Sequence, residues 1–329
     1  MMYAGTLILS RKTIEHIIDI SEAVKAVESA FREYGLGRVQ MPAKIYLHLD
    51  KYEGDFRAMP AYIEKLDKCV LKWVNVHPKN KKFGLPAVMA VIILSDPKTA
   101  LPLCIMDGTY ATNLRTGAAG GVAAKYLARK NSKIVGLVGC GAQAKTQLQA
   151  LRGLFKIKEV KVWGHKASYV EEFLKDMKKT NLKLTVARDV KECVKNCDII
   201  VTTTPSRKPI VKAKWLKKGV HINAIGADAK GKQELEPAVL KKAKVVVDAW
   251  EQASHSGEIN VPVRKKLITR KDIHADIGQI IAGKKKGRTG EDEITVFDST
   301  GLAIQDVAVA DLIYRTAAKK KIGKKIKII

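Results

Sequence analysis

Apolar residues recur along this chain with more than one period, and each stretch predicts a different element. Ala23, Val24, Val27, Ala30, Phe31 and Tyr34 fall on one face at helical spacing. They predict a helix over 22–34, capped by Ser21 and ended by Gly35 and Gly37. From 41 to 107 the apolar runs shorten, and Pro, Gly and Asp-Pro separate them: 44–49, 56–62, 69–76, 87–94 and 101–106. That is a β-rich region of antiparallel character. A helix rich in Ala and Gly follows over 113–128. From Lys133 strands and helices alternate: strand 134–138, helix 145–154, strand 159–163, helix 168–178, strand 183–187, helix 190–196, strand 199–203. Further apolar runs at 221–225 and 245–248, a strand at 295–297 and a helix over 303–318 complete the pattern. The alternation indicates a parallel, doubly wound sheet, so the fold class is α/β with a second, α+β region.

The strand at 134–138 leads into Gly139-Cys140-Gly141-Ala142-Gln143-Ala144. A GxGxxA turn between strand and helix is the setting of a Rossmann dinucleotide fingerprint. Gly139 makes the tight turn, Gly141 lets the backbone approach a pyrophosphate, and Ala144 lets helix and strand pack closely. The N–H groups at the start of that helix then face phosphate oxygens, and Ala142 and Gln143 of the turn join the cofactor site. A plain tight βα turn is the alternative. An NAD-type fold places an acid for the ribose 2′-OH about 20 residues after the glycines. Here Gly164-His165-Lys166 follows the second strand and no acid is present. A 2′-phosphate would meet His165, Lys166 and the Ser168 hydroxyl instead of repulsion. The expected cofactor is NAD(P)(H), with NADP(H) accepted at least as well as NAD(H).

Composition narrows the class. A length of 329 residues suggests about two domains, and 46% hydrophobic residues are ample for cores. No apolar run is long enough to span a bilayer, and residues 1–10 do not read as a signal peptide. Five scattered cysteines fit reduced thiols, and the expected location is cytoplasmic. Cys193 and Cys197 lie four apart on a predicted helix, but they lack further ligands, so no metal is expected. The formal charge of +27 invites a nucleic-acid reading. The lysines are spread along the whole chain and aromatics make up 6%, so solvated lysine faces are expected and no nucleic-acid partner. The ending from Lys319 reads as a short basic tail or an edge segment.

A set of motifs in fixed order then carries a resemblance. They are Met41-Pro-Ala-Lys44, Phe56-Arg57-Ala-Met-Pro60, Lys72-Trp-Val-Asn75 with His77-Pro78, and Leu114-Arg115-Thr116-Gly117-Ala118. The glycine turn follows, then Thr202-Thr-Thr-Pro-Ser206, Gly226-Ala227-Asp228, and Phe297-Asp298-Ser299-Thr300-Gly301 running on to Gln305-Asp306. With these the chain resembles the ornithine cyclodeaminase/μ-crystallin family, and most its archaeal alanine dehydrogenase branch. The resemblance implies a substrate-binding and dimerisation domain over 1–117, completed by a C-terminal helix over 302–329, and a dinucleotide-binding domain over 118–301. It also implies a homodimer. The implied reaction is hydride transfer between an amino-acid Cα and a nicotinamide, with alanine dehydrogenase as the first expectation. Reduction of a cyclic ketimine such as Δ1-pyrroline-2-carboxylate, ornithine cyclodeamination, and a non-catalytic NADPH- and ligand-binding protein like μ-crystallin are the alternatives.

An amino or keto acid needs cations for its carboxylate, which Arg meets with a bidentate fork and Lys with a point charge. Lys44, Arg57, Lys72 and Arg115 are the candidates, each in a motif of the resemblance. Strand alternation places Lys72 on one face with Val70 and Val74, where desolvation would lower its pKa toward neutral. Lys72 is therefore the expected proton donor and acceptor, with Lys44 second. Asp228 follows a strand and the Gly226-Ala227 turn, at the end of the sheet where ligands bind, and can hold the substrate ammonium or orient water. The resemblance adds Arg115 and Thr116 to the cofactor site. Thr203, Thr204 and Pro205 would flank the nicotinamide ribose. Asp298, Ser299, Thr300 and Gly301 would begin the last helix, whose N-terminus can donate to the cofactor. Ornithine cyclodeaminases carry a carboxylate where Arg57 stands, and no acid within 56–62 restores that charge. A small monoamino or keto acid is favoured over ornithine.

Overall fold

A computed structural model describes residues 5–180 and 182–328. The first four residues of the stretch read as lacking a leader, and Ile329 of the basic ending, lie outside them. The chain divides into two compact units at Arg115/Thr116 and Gly301/Leu302.

The first unit runs through β1 (Thr6–Leu9), α1 (Arg11–Ile17), α2 (Ile20–Gly35), β2 (Val39–Gln40), β3 (Ile45–Leu49), β4 (Gly54–Ile63), β5 (Lys68–Val76), β6 (Val88–Ser95) and β7 (Pro102–Asp107). The boundary falls within α3 (Gly108–Leu127). The second unit carries β8 (Ile134–Val138), α4 (Ala142–Leu154), β9 (Glu159–Trp163), α5 (Ala167–Met177), β10 (Lys183–Val186), α6 (Val190–Val194), β11 (Ile199–Thr202) and β12 (His221–Ala224). It continues through α7 (Pro237–Lys242), β13 (Lys244–Val247), α8 (Trp250–Ser256), α9 (Asn260–Arg264), β14 (Ile273–Asp276), α10 (Ile277–Ile281) and β15 (Thr295–Asp298). α11 (Ala303–Lys320) and β16 (Lys324–Ile326) return to the first unit.

In the first unit the strand order is β16-β1-β7-β6-β5-β4-β2, with β3 also on β4, and only β1–β7 is parallel. Alternation gives this sheet two different faces. Arg57, Met59, Ala61 and Ile63 of β4 and Val70, Lys72 and Val74 of β5 are buried. α11 packs against β4, β5, β6 and α2. α2 begins two residues earlier than expected. Its cap is Asp19, whose carboxylate accepts from the N–H groups of Ser21 and Glu22, while Glu22 reaches back to the Asp19 N–H. Ser21 lies inside the helix and donates its hydroxyl to Asp19. Both residues can cap, and the capping box with Glu22 selects the aspartate.

The second unit is the expected Rossmann sheet, with order β10-β9-β8-β11-β12-β15-β13-β14 and every neighbouring pair parallel. Chain order reverses at β8, which has β9 on one side and β11 on the other. In such sheets ligands bind beyond the strand ends at this switch point. Apolar cores flank the sheet: Leu137, Leu148, Leu151, Val162 and Phe173 are in one, and Ile200, Ile222, Leu235, Val247 and Val296 in the other. The cysteines are unpaired, and all but the half-buried Cys69 are buried. Burial pushes Cys197 up to about 12, and Cys193 accompanies it in the second core. Among the described residues no helix is long and apolar enough to cross a membrane, and no group of three His, Cys, Asp or Glu could hold a metal.

Candidate functional site

The turn after β8 opens a cleft of about 440 Å³ in the second unit. Gly139, Cys140 and Gly141 form one wall, Trp163, Gly164, His165 and Tyr169 another, and Thr203 to Ser206 with Ile210 a third. Gly139 has φ +111, which L side chains rarely adopt, and a Cβ there would stand 2.5 Å from Thr203 Oγ1. A Cβ on Gly141 would meet nothing within 4 Å, so the backbone beside the start of α4 is open. α4 begins at Ala142, three residues earlier than the sequence suggested, with Gly141 as its cap and no side chain covering its first N–H groups. Thr203 Oγ1 is buried and has no hydrogen-bond partner among the described residues. Bare helix N–H groups, a glycine gap and an unsatisfied hydroxyl are what a pyrophosphate and ribose require. The cleft fits a dinucleotide.

His165 and Lys166 are exposed past the end of β9, with Lys166 at the cap of α5. The Thr116 carbonyl accepts from Gln147 Nε2 at 2.8 Å. Asp228, four residues past β12, pairs with Lys232. Ala227 is buried, and Gly226 gives its N–H to Glu234 Oε2 at 3.0 Å. Thr204 gives both its N–H and its hydroxyl to Glu234 Oε1, each at 2.6 Å.

The stretch 298–301 differs from expectation. α11 starts at Ala303, and the N–H groups of Thr300 and Gly301 are taken by the Asp248 carboxylate, at 2.6 and 2.7 Å. Those donors are committed within the protein. Asp298 is likewise committed, accepting from the N–H groups of Glu258 and Ile259. Ser299 Oγ is buried with no hydrogen-bond partner among the described residues.

In the first unit a charged cluster lies at the buried face of the sheet. Lys72 is fully buried, and its Nζ is 2.7 Å from Asp306 Oδ2 on the first turn of α11. Arg115 Nε reaches Asp306 Oδ1 at 3.2 Å, and Arg115 Nη1 donates to Gln305 Oε1 at 2.9 Å. Burial pushes Lys72 down to about 7, helped by the positive charges of Arg115 and Lys44 and opposed by Asp306. Lys44 is therefore within electrostatic reach of Lys72. Arg57 is buried, stacks on Tyr46 with 5.2 Å to the ring centroid, and donates bidentately to Asp55 at 2.8 and 3.1 Å. The acid that balances Arg57 thus stands one residue before the stretch searched for it.

The fold brings Lys72 and Arg115 together around Asp306, with Lys44 near enough to act on Lys72 electrostatically. It brings Gly139, Gly141, Gly164, His165, Thr203, Thr204 and Pro205 together around the dinucleotide cleft. Sequence reasoning missed Asp306 and Gln305 as site residues, although both lie in the quoted motif. Two polar residues opening an otherwise apolar helix were the available signal. It also missed Glu234.

The sequence model of the ornithine cyclodeaminase/mu-crystallin family matches residues 5–321. Alanine dehydrogenase of Archaeoglobus fulgidus is 55% identical over 322 residues, 98% of each chain. An archaeal alanine dehydrogenase dimer with bound NAD superposes with a TM-score of 0.95 at 54% identity, covering 99% of this chain and 100% of that one. Delta(1)-pyrroline-2-carboxylate reductase of Thermococcus litoralis, in complex with NADH and L-proline, gives the same TM-score at 38% identity, covering 98% and 100%. With its motifs in order and both units matched, the chain belongs to the ornithine cyclodeaminase/mu-crystallin family.

Proposed function

We propose that this protein is a nicotinamide-dependent oxidoreductase acting on the CH–NH2 group of a small amino acid, as an alanine dehydrogenase. The observation that carries the reading is Lys72, a buried lysine with a pKa near 7 held by Asp306 beside Arg115. A structural lysine gains nothing from complete burial, whereas a proton-transfer group needs a pKa near the working pH. The 55% identity to an alanine dehydrogenase over nearly the whole length supports the same substrate class.

A nicotinamide held in the cleft would supply hydride to the substrate Cα in the reductive direction and would accept it in the other. The chain's own residues do the rest. Lys72 and Arg115, with Lys44, attract the carboxylate of pyruvate or alanine, and Arg57, already balanced by Asp55, is the further candidate. Lys72 holds a proton at Nζ and exchanges it with the substrate as the C–N bond is made or broken. Asp306 keeps Nζ in place and offsets part of its desolvation. Asp228, in the second unit, is the carboxylate for the substrate ammonium or the attacking water. Gly139 to Gln143 cradle the pyrophosphate, and Thr203 to Pro205 the ribose. The test is incubation with pyruvate, ammonia and NADH or NADPH, following absorbance of the reduced cofactor. No ammonia-dependent oxidation with either would sink the alanine dehydrogenase reading.

A second reading is reduction of Δ1-pyrroline-2-carboxylate, favoured by the equal TM-score to a reductase of that imine. The same assay with the cyclic imine separates the two. Conversion of ornithine to proline would revive the cyclodeaminase, and dinucleotide binding with no turnover on any of these would point to a binding protein. For the cofactor, His165 and Lys166 at the end of β9 support NADPH binding at least as tightly as NADH. Dissociation constants measured side by side decide this, and NADPH binding far more weakly would refute it.

The protein is also proposed to be a homodimer. The sheet face bearing Ile45, Trp73 and Val91 is exposed and apolar, and Ala58 pairs in register with both Ile45 and Trp73, and Trp73 with Val91. Phe56 stacks on Trp73 in the same patch. A contiguous apolar face of this kind on a sheet asks for a partner. The related archaeal alanine dehydrogenase is a dimer, which supports a second copy as that partner.

A further inference from the structure

Glu234 is fully buried behind the cleft wall, and both of its carboxylate oxygens are hydrogen-bonded. Oε1 accepts the N–H and the hydroxyl of Thr204, and Oε2 accepts the N–H of Gly226. Its own N–H donates to both oxygens of Glu258, at 2.9 and 3.0 Å, and its carbonyl accepts from Ile210 and Val211, at 2.7 and 3.0 Å. One side chain therefore ties the loop after β11, which forms a wall of the cleft, to the loop after β12. The two loops are in close contact: a Cβ on Gly226 would stand 2.3 Å from the Thr204 carbonyl oxygen and 2.4 Å from Glu234 Oε2.

We propose that Glu234 is a positioning residue for the dinucleotide, holding the Thr203-Thr204-Pro205 wall in the shape the cofactor requires through both carboxylate oxygens. The inference rests on the cleft being a dinucleotide site. Three donors converge on Glu234 and favour its charged form against the burial that pushes it up to about 7, and only a carboxylate accepts on both sides. A glutamine offers one oxygen. In either orientation its NH2 faces a donor, Gly226 N–H or the Thr204 pair, and one loop is released. Burial and the nearby charges of Glu234 and Asp298 push the Glu258 carboxyl well above the usual carboxylate range, while the N–H groups of Glu234 and Leu235 that it accepts favour its charged form. Holding Thr204 by its N–H and hydroxyl also fixes Thr203, whose unsatisfied Oγ1 abuts Gly139.

The experiment is titration of the full-length protein with NADH and NADPH, read by ligand fluorescence, with steady-state kinetics alongside. Glu234→Gln should raise both dissociation constants at least tenfold and raise the KM for the dinucleotide in step, while the KM for the amino or keto acid stays within twofold. Thr204→Val, which keeps the fold and the N–H but removes the hydroxyl, should weaken binding about threefold. In the Glu234→Gln background it should add little. Should Glu234→Gln not fold, Thr204→Val carries the test. Dissociation constants within twofold of the wild type in the folded variants overturn the inference, whatever happens to Tm. Failure of the wild type to bind either dinucleotide overturns the reading of the cleft first, and the inference with it.

Discussion

At the residue scale, the proposal turns on one proton. Lys72 has lost its water, and Arg115 and Lys44 add positive charge around it against the pull of Asp306, so its pKa falls to about 7 and both its charged and neutral forms are populated near neutral pH. Replacing Lys72 with Met removes the proton but keeps most of the volume. Turnover should fall by about 10²–10⁴, the usual contribution of a positioned acid or base, while dinucleotide dissociation constants stay within twofold. The pH dependence has a definite sign. Oxidative deamination needs neutral Lys72 as base, so kcat should rise with pH up to about 7 and then level, and a pH series of kcat checks this. The apolar positions around Lys72 made its burial legible, because alternation in a strand assigns a face from the sequence alone. Asp306 was not legible in the same way. It meets Arg115 across 191 positions of chain, and nothing local to the first turn of α11 says which strand that turn will cover. Arg57 shows the converse difficulty: its partner is two residues away, and only side-chain geometry reveals that Asp55 turns to meet it.

At the scale of elements, the β8–α4 turn is the most constrained part of the second unit. Gly139→Ala would force an L side chain to φ +111 and drive a methyl group to 2.5 Å from Thr203 Oγ1. Strain of this kind costs about 1–3 kcal/mol. The expected result is a dinucleotide dissociation constant raised at least tenfold, with a lower Tm, measured by titration and thermal melting. This turn was legible because glycine spacing reports backbone conformation directly. The longer strands of the first unit were legible through alternation. β1, β14 and β16 were not, since three or four residues are too few to establish a period. β16 is exposed along its length and lysine-rich, so only its pairing with β1 distinguishes it from a tail. The placement of Thr300 and Gly301 before α11 was misread for another reason: a Ser-Thr-Gly run before an apolar helix looks like a cap, and the competing acceptor, Asp248, lies at the end of a different strand.

For the whole molecule, the apolar sheet face predicts an assembly. Light scattering on the eluted protein should give twice the chain mass, and Trp73→Glu, which places a charge in the middle of the face, should shift it toward the monomer. A particle of single mass in the wild type would remove the dimer from the proposal. The alternation of helices and strands made the parallel sheet legible, and the order of the motifs made the family legible. The break of the first unit into two segments was legible only through the resemblance, because periodicity gives no sign that α11 covers strands from the other end of the chain.

That covering helix has a consequence for how the protein is made. The sheet of β1 to β7 leaves the ribosome with its buried face bare, and Lys72 without its counter-ion. The helix that closes the face and carries Asp306 emerges 191 residues after Arg115. At ordinary elongation speeds of roughly 5–20 residues per second this is a wait of about 10–40 s. The second unit, continuous in sequence, is complete before the first can close. Lys72, the proposed proton-transfer residue, therefore meets its counter-ion only after the second unit has been made.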